Sequence, residues 1–139
     1  MAWASIESGT GGKLRILVAE DDDDLRELLV RGLEVEGHHV VELEDGFELG
    51  DYLAVLHTTG SKKLRPDVIL TDVRMPGRTG LEVLREAREQ GLTCPVIVLS
   101  AYADRSMREA ARELEPMMVL AKPVEVDFLI GLVAKSARR

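Results

Sequence analysis

Short apolar runs alternate with amphipathic segments along the whole chain. Leu14-Arg15-Ile16-Leu17-Val18-Ala19 has the length and apolar content of a buried strand, and acidic residues follow it at once. Leu25, Leu28, Leu29 and Leu33 then recur at helical spacing, and Gly37 stands where that helix should stop. His39-Val40-Val41-Glu42-Leu43 predicts a second strand. Leu49, Tyr52, Leu53 and Leu56 predict a second helix, and Thr58 to Pro66 is polar and loop-like. Asp67-Val68-Ile69-Leu70-Thr71 gives a third strand. Leu81, Leu84 and Ala87 mark a third helix, opened by Thr79 and Glu82 at the spacing of a capping box. Val96-Ile97-Val98-Leu99 is a fourth strand emerging from Pro95. Met107, Ala110, Ala111 and Leu114 make a fourth helical stripe, with Pro116 as its expected terminator. Met117 to Ala121 reads as a fifth strand, and Phe128, Leu129, Leu132 and Val133 as the apolar face of a fifth helix.

Five strand–helix repeats with strands apolar on both faces predict an α/β fold, a doubly wound parallel sheet with helices on each side. Each crossover is expected to be right-handed. A chain of 139 residues is the size of one ordinary domain. The expected division is a flexible, Gly- and Ser-containing tail over residues 1–12 and a single domain over 13–139, with no internal repeat.

Charge and composition narrow the function. The 18 basic and 25 acidic residues give a formal charge of −7, which argues against direct contact with nucleic acid or an anionic membrane. Cys94 is the only cysteine and lies in an apolar run, so it reads as a small packing residue and no intrachain disulfide can form. The first dozen residues lack a signal peptide's basic start and apolar stretch, and no segment approaches the roughly 18–20 apolar residues of a membrane span. The expected location is the cytoplasm.

In a doubly wound sheet, ligands collect beyond the carboxyl ends of the strands. There the first strand delivers Glu20 and Asp21, the third Asp72, the fourth Ser100 and the fifth Lys122. Each has an ordinary alternative. Asp22, Asp23 and Asp24 read best as an acidic first turn and cap. Asp72 alone suits an Asx turn before Pro76, Ser100 a helix cap, and Lys122 a solvated charge beside Pro123. All of them on one rim by accident is a poorer account. Crowded carboxylates repel one another unless a cation neutralises them, and oxygen ligands with room for water suit Mg²⁺, with Mn²⁺ the alternative. A carboxylate beside such an ion can attack a phosphoryl group when the metal, Lys122 and the Ser100 hydroxyl balance the charge on its oxygens.

Four segments carry a specific resemblance. Ile16-Leu17-Val18-Ala19-Glu20-Asp21, Ile69-Leu70-Thr71-Asp72-Val73-Arg74-Met75-Pro76-Gly77, Val98-Leu99-Ser100-Ala101 and Leu120-Ala121-Lys122-Pro123 resemble the receiver domains of two-component response regulators, in the same order and spacing. The resemblance covers about Lys13 to the C-terminus. It implies a flavodoxin-like (βα)5 fold with strand order 2-1-3-4-5 and Asp72 as the phosphoacceptor. It further implies Glu20 and Asp21 as the metal-binding acidic pair, and the backbone carbonyl of Arg74 as a further Mg²⁺ ligand. Ser100 matches the switch hydroxyl, Lys122 the lysine that pairs with the phosphoryl group, and the Lys122–Pro123 bond one commonly cis. The implied phosphodonor is a phosphohistidine on a sensor histidine kinase or a histidine phosphotransfer protein. The implied output face is the fourth helix, fifth strand and fifth helix, which bind a downstream effector or a second copy. Such a domain catalyses only its own phosphorylation and dephosphorylation and is not a turnover enzyme.

The chain departs from that pattern in four places. Glu20 stands where Asp is more usual, and its extra methylene is expected to route the Mg²⁺ contact through a water. Thr79 occupies a place that is often Asp. The stretch from Asp45 to Asp72 is long, which predicts a lengthened second helix or an enlarged loop around Thr58 to Arg65. Val119 replaces the aromatic that in many receivers turns inward on activation, and Tyr102 reads as a surface residue rather than its substitute. Arg74 and Tyr102 lie where they would obstruct an attacking water, so slow autodephosphorylation is expected. Two rivals remain weaker. A haloacid-dehalogenase-type phosphatase needs a second Asp two residues after its nucleophile, where this chain has Arg74. A pure interaction module would not need Asp21, Asp72 and Lys122 together.

Overall fold

The elements run β1 (Arg15–Ala19), α1 (Asp23–Val35), β2 (His39–Leu43), α2 (Gly46–Thr59), β3 (Val68–Asp72), α3 (Gly80–Glu89), β4 (Val96–Ser100), α4 (Arg105–Arg112), β5 (Met117–Ala121) and α5 (Val126–Ser136). This computed structural model describes residues 13–101, 105–115 and 117–136; the expected tail at 1–12, Tyr102 and Pro116 lie outside the described residues. The strands form one parallel sheet in the order β2-β1-β3-β4-β5, the flavodoxin-like doubly wound arrangement.

Alternation along the strands builds a core on each face of the sheet. Leu17, Ala19, Ile69, Val96 and Val98 pack with Leu49 and Leu53 of α2 and Val83, Leu84 and Ala87 of α3. Their neighbours Ile16, Val18, Val68, Leu70, Ile97 and Leu99 point the other way, onto Leu29 and Leu33 of α1 and Leu129 and Val133 of α5. Each such side chain contributes about 1.5–3 kcal/mol through burial. The central strands β3 and β4 are buried throughout, whereas β2 at one edge is largely half-exposed. Apolar runs buried on both faces thus fix the middle of the sheet, and the polar ends of those strands converge on one rim.

Helix boundaries follow local chemistry. Asp22 caps α1 by accepting from the amides of Asp24 and Leu25 at 3.0 and 3.2 Å. The predicted capping box opens α3: Glu82 N donates to Thr79 Oγ1 at 3.2 Å and Thr79 N to Glu82 Oε1 at 3.0 Å. α2 absorbs Thr58 and Thr59 and ends at Gly60, whose φ of 62° is the left-handed conformation that glycine adopts without a Cβ penalty. The long Asp45–Asp72 stretch is therefore divided between a helix of 14 residues and a shorter loop after it.

Three expectations are corrected. α4 ends at Arg112, so Leu114, read as part of its stripe, lies beyond the helix yet is still buried against the first core. Leu28, read as part of the buried face of α1, is 57% exposed, while Arg26 is only 7% exposed. Phe128, read as the start of the buried face of α5, is also 57% exposed, and Leu129 and Val133 carry that face.

Candidate functional site

β1 stops at Ala19, but Glu20 N still donates to Leu43 O of β2 at 3.1 Å, so Glu20 leaves the sheet in a fixed direction. Its side chain is 1% exposed and accepts from Asp22 N at 3.1 Å, whereas Asp21 is exposed. Asp72 is the last residue of β3, 6% exposed, and its Oδ1 accepts from Arg74 N at 3.2 Å. α3 presses close behind: Gly80 N donates to Val73 O at 2.9 Å, and a Cβ on Gly80 would lie 2.5 Å from the Asp72 carbonyl oxygen. Ser100 is the buried last residue of β4, and its carbonyl accepts from Lys122 N at 2.8 Å. The Lys122–Pro123 bond is cis.

From β5, Lys122 reaches back across the rim. Its Nζ donates to Asp72 Oδ2 at 2.8 Å and to Glu20 Oε1 at 3.0 Å. One carboxylate oxygen from each of Glu20, Asp21 and Asp72 lies within 4.8 Å of the others. Burial is the largest influence on Glu20 and, with the Asp72 charge, pushes its carboxyl up to about 7; the Asp22 amide and Lys122 hold it lower than burial alone would. Burial also opposes the Lys122 charge, yet its hydrogen bonds to Asp72 and Glu20 outweigh that and hold the ammonium above its ordinary value. Three carboxylates thus face a single ammonium, and the donor set is all oxygen. That combination fits a hard divalent cation that keeps part of its water.

The residues singled out in the sequence come together at this rim. Glu20, Asp21 and Asp72 bring their carboxylates together, Lys122 bonds Glu20 and Asp72, Ser100 ends the neighbouring strand β4, and Arg74, expected to offer its carbonyl to a metal, donates its backbone N–H to Asp72. A family model described as the response regulator receiver domain matches residues 16–134. The chain belongs to that family.

The receiver is 34% identical over 126 residues to the transcriptional regulatory protein PdtaR of Mycobacterium tuberculosis, covering 90% of this chain and 57% of that protein. The chain spans about half the length of the relatives it matches. Among solved structures it is similar to the receiver domain of Francisella response regulator 1452, with a TM-score of 0.76, 29% identity and coverage of 91% of this chain and 98% of that one. It is also similar to the phosphorylated cyanobacterial phytochrome response regulator RcpA, with a TM-score of 0.71, 27% identity and coverage of 89% and 91%. Among the described residues no helix is long and apolar enough to cross a membrane.

One residue at this rim was not legible in the receiver's sequence. Arg26 sits in the first turn of α1, and its Nη1 donates to the Glu20 carbonyl at 2.7 Å. Helical periodicity treats a charged position as an outward one, and the only hint was an unexplained cation inside an acidic run. The site of the missing aromatic is also visible. Val119 is half-buried against the first core, and its carbonyl accepts from Arg108 Nη1 at 3.3 Å.

Proposed function

We propose that this receiver takes a phosphoryl group from phosphohistidine onto Asp72 and thereby changes the surface it offers to a partner. The observation that carries the reading is the Lys122 ammonium, held at once by Asp72 and Glu20 within a cluster of three carboxylates. A carboxylate oxygen of Asp72 attacks phosphorus; the new O–P bond forms as the P–N bond breaks, and the imidazole leaves with that electron pair. Glu20, Asp21 and Asp72, with the backbone carbonyl of Arg74, would hold Mg²⁺, or Mn²⁺ in its place. When bound, the ion offsets negative charge on the phosphoryl oxygens.

Lys122 serves the same end from the opposite side. Its ammonium is bonded to Asp72 before transfer and pairs with a phosphoryl oxygen afterwards. Ser100 donates its hydroxyl to another of those oxygens, which draws the end of β4 toward Asp72. Because Ser100 O accepts from Lys122 N, that movement is shared with the end of β5. The responding face is α4, β5 and α5, which binds a downstream effector or a second copy of the chain. With Val119 in place of an aromatic, the shift travels through the β4–β5 pairing. The donor is a sensor histidine kinase or a histidine phosphotransfer protein in the cytoplasm. The domain turns over no substrate of its own and touches neither nucleic acid nor membrane, and its exposed Arg74 slows the approach of a hydrolytic water to the phosphorylated Asp72.

Acetyl phosphate with Mg²⁺ tests the reading. One phosphoryl group per chain is expected, lost in Asp72→Asn and strongly reduced in Lys122→Ala. Label on the Asp72→Asn protein would overturn the assignment of the acceptor.

A further inference from the structure

We infer that Arg26 is a positioning residue for the acidic pair, fixing the backbone from which Glu20 and Asp21 reach a metal ion. The inference rests on the metal-assisted reading above and adds a residue to it. A cation in the first turn of a helix is placed against the helix dipole, and burying it carries a desolvation cost. Arg26 is nonetheless buried, and its guanidinium is held on three sides. Nη1 donates to the Glu20 carbonyl at 2.7 Å, Nε to Glu42 Oε2 of β2 at 2.9 Å, and Nη2 to Asp23 Oδ1.

Those contacts join three pieces of chain around the ligand-bearing turn. Glu42 pairs in register with Val18 of β1, and Glu20 N is bound to Leu43 O, so β2 is a rigid anchor for the guanidinium. From that anchor Arg26 grips the carbonyl of Glu20. The peptide that follows it carries Asp21, the exposed member of the cluster, whereas Lys122 bonds the other two. Without Arg26, that peptide is free to rotate, and the Asp21 and Glu20 oxygens lose their fixed separation. Groups that orient metal ligands in this way typically change affinity by about 10–100-fold when removed.

Coulomb repulsion between Arg26 and a divalent cation acts in the opposite direction, so substitution must separate charge from shape. Glu42 and Asp23 already offset the guanidinium charge. A Lys at this position keeps the charge but has a point-like ammonium in place of a planar fork, and it cannot hold three partners at these angles. Arg26→Lys therefore isolates the geometric effect.

Mg²⁺ titration by calorimetry, on folded full-length protein checked by circular dichroism, is the first arm. Wild type, Arg26→Lys, Glu42→Gln and the control Arg31→Lys are compared; Arg31 is an exposed partner of Glu27 on the same helix. Amide hydrogen exchange at residues 20–22 of the metal-free proteins is the second arm. The dissociation constant is expected to rise about tenfold in Arg26→Lys and by a smaller factor in Glu42→Gln, with faster exchange at those amides in both and no change in Arg31→Lys. An Arg26→Lys protein that is folded, binds Mg²⁺ as tightly as wild type and exchanges no faster overturns the role of Arg26 alone. A wild-type chain that binds no Mg²⁺ at all sinks the metal-assisted reading and this inference with it, and the two failures are thereby told apart.

Discussion

The Lys122 ammonium gathers two buried carboxylates that would otherwise repel each other. Removing it leaves Glu20 and Asp72 without a cation, a change that typically costs several kcal/mol for a fully buried pair. Lys122 is about a fifth solvent-accessible and Glu20 can take up a proton, so Lys122→Met is expected to lower the stability of the metal-free chain by about 2 kcal/mol in urea unfolding. Cys94 gives an independent pH readout away from the rim. Burial, only partly countered by Arg88, pushes its thiol up to about 11. The folded state therefore favours the neutral thiol: that contribution is complete below the unfolded value near 9, is lost as pH rises through about 11, and alkylation of the native chain should be slow at pH 8 with its midpoint near 11. Most of the site's residues could be read directly, because Glu20, Asp21, Asp72, Ser100 and Lys122 each lie at or just past the carboxyl end of a strand of apolar residues and therefore share a rim. Arg26 could not, since an arginine buries its aliphatic stem while its head finds partners that no spacing rule reveals.

At the scale of elements, the N-terminus of α3 and the buried face of α5 give separable expectations. Thr79→Ala removes one half of the capping box and is expected to cost about 1 kcal/mol in denaturant unfolding. Gly80→Ala, one residue on, is expected to be worse for phosphorylation than for folding. The added methyl would meet the Asp72 main-chain carbonyl at 2.5 Å and displace the acceptor, which acetyl phosphate labelling reads. On α5, Leu129→Ala should cost about 2–5 kcal/mol and Phe128→Ala less than about 0.5 kcal/mol, and the reverse order would contradict the observed packing. Strand positions were legible because runs such as Val68–Leu70 and Val96–Leu99 are buried on both faces. Which side of a helix faces inward was less so. On α1 and α5 the apolar arc is wider than the sheet it covers, so Leu28 and Phe128 fit the spacing yet fall on the outer margin.

At the scale of the whole molecule, a ligand that binds only the folded chain stabilises it through mass action. Mg²⁺ at about 100 times its dissociation constant should add roughly 2.7 kcal/mol to unfolding, and chelation should remove it. The Lys122 contacts give this coupling an unusual reach. They span 102 residues to Glu20 and 50 to Asp72, and β5, which delivers the lysine, pairs with β4 alone, with β4 and β3 standing between it and β1. A fragment that lacks β1 or β5 therefore cannot present the complete constellation, since its first and last members meet only once β1, β3, β4 and β5 have docked. The edge strand β2 carries none of its members, so the dependence falls on the four strands that do.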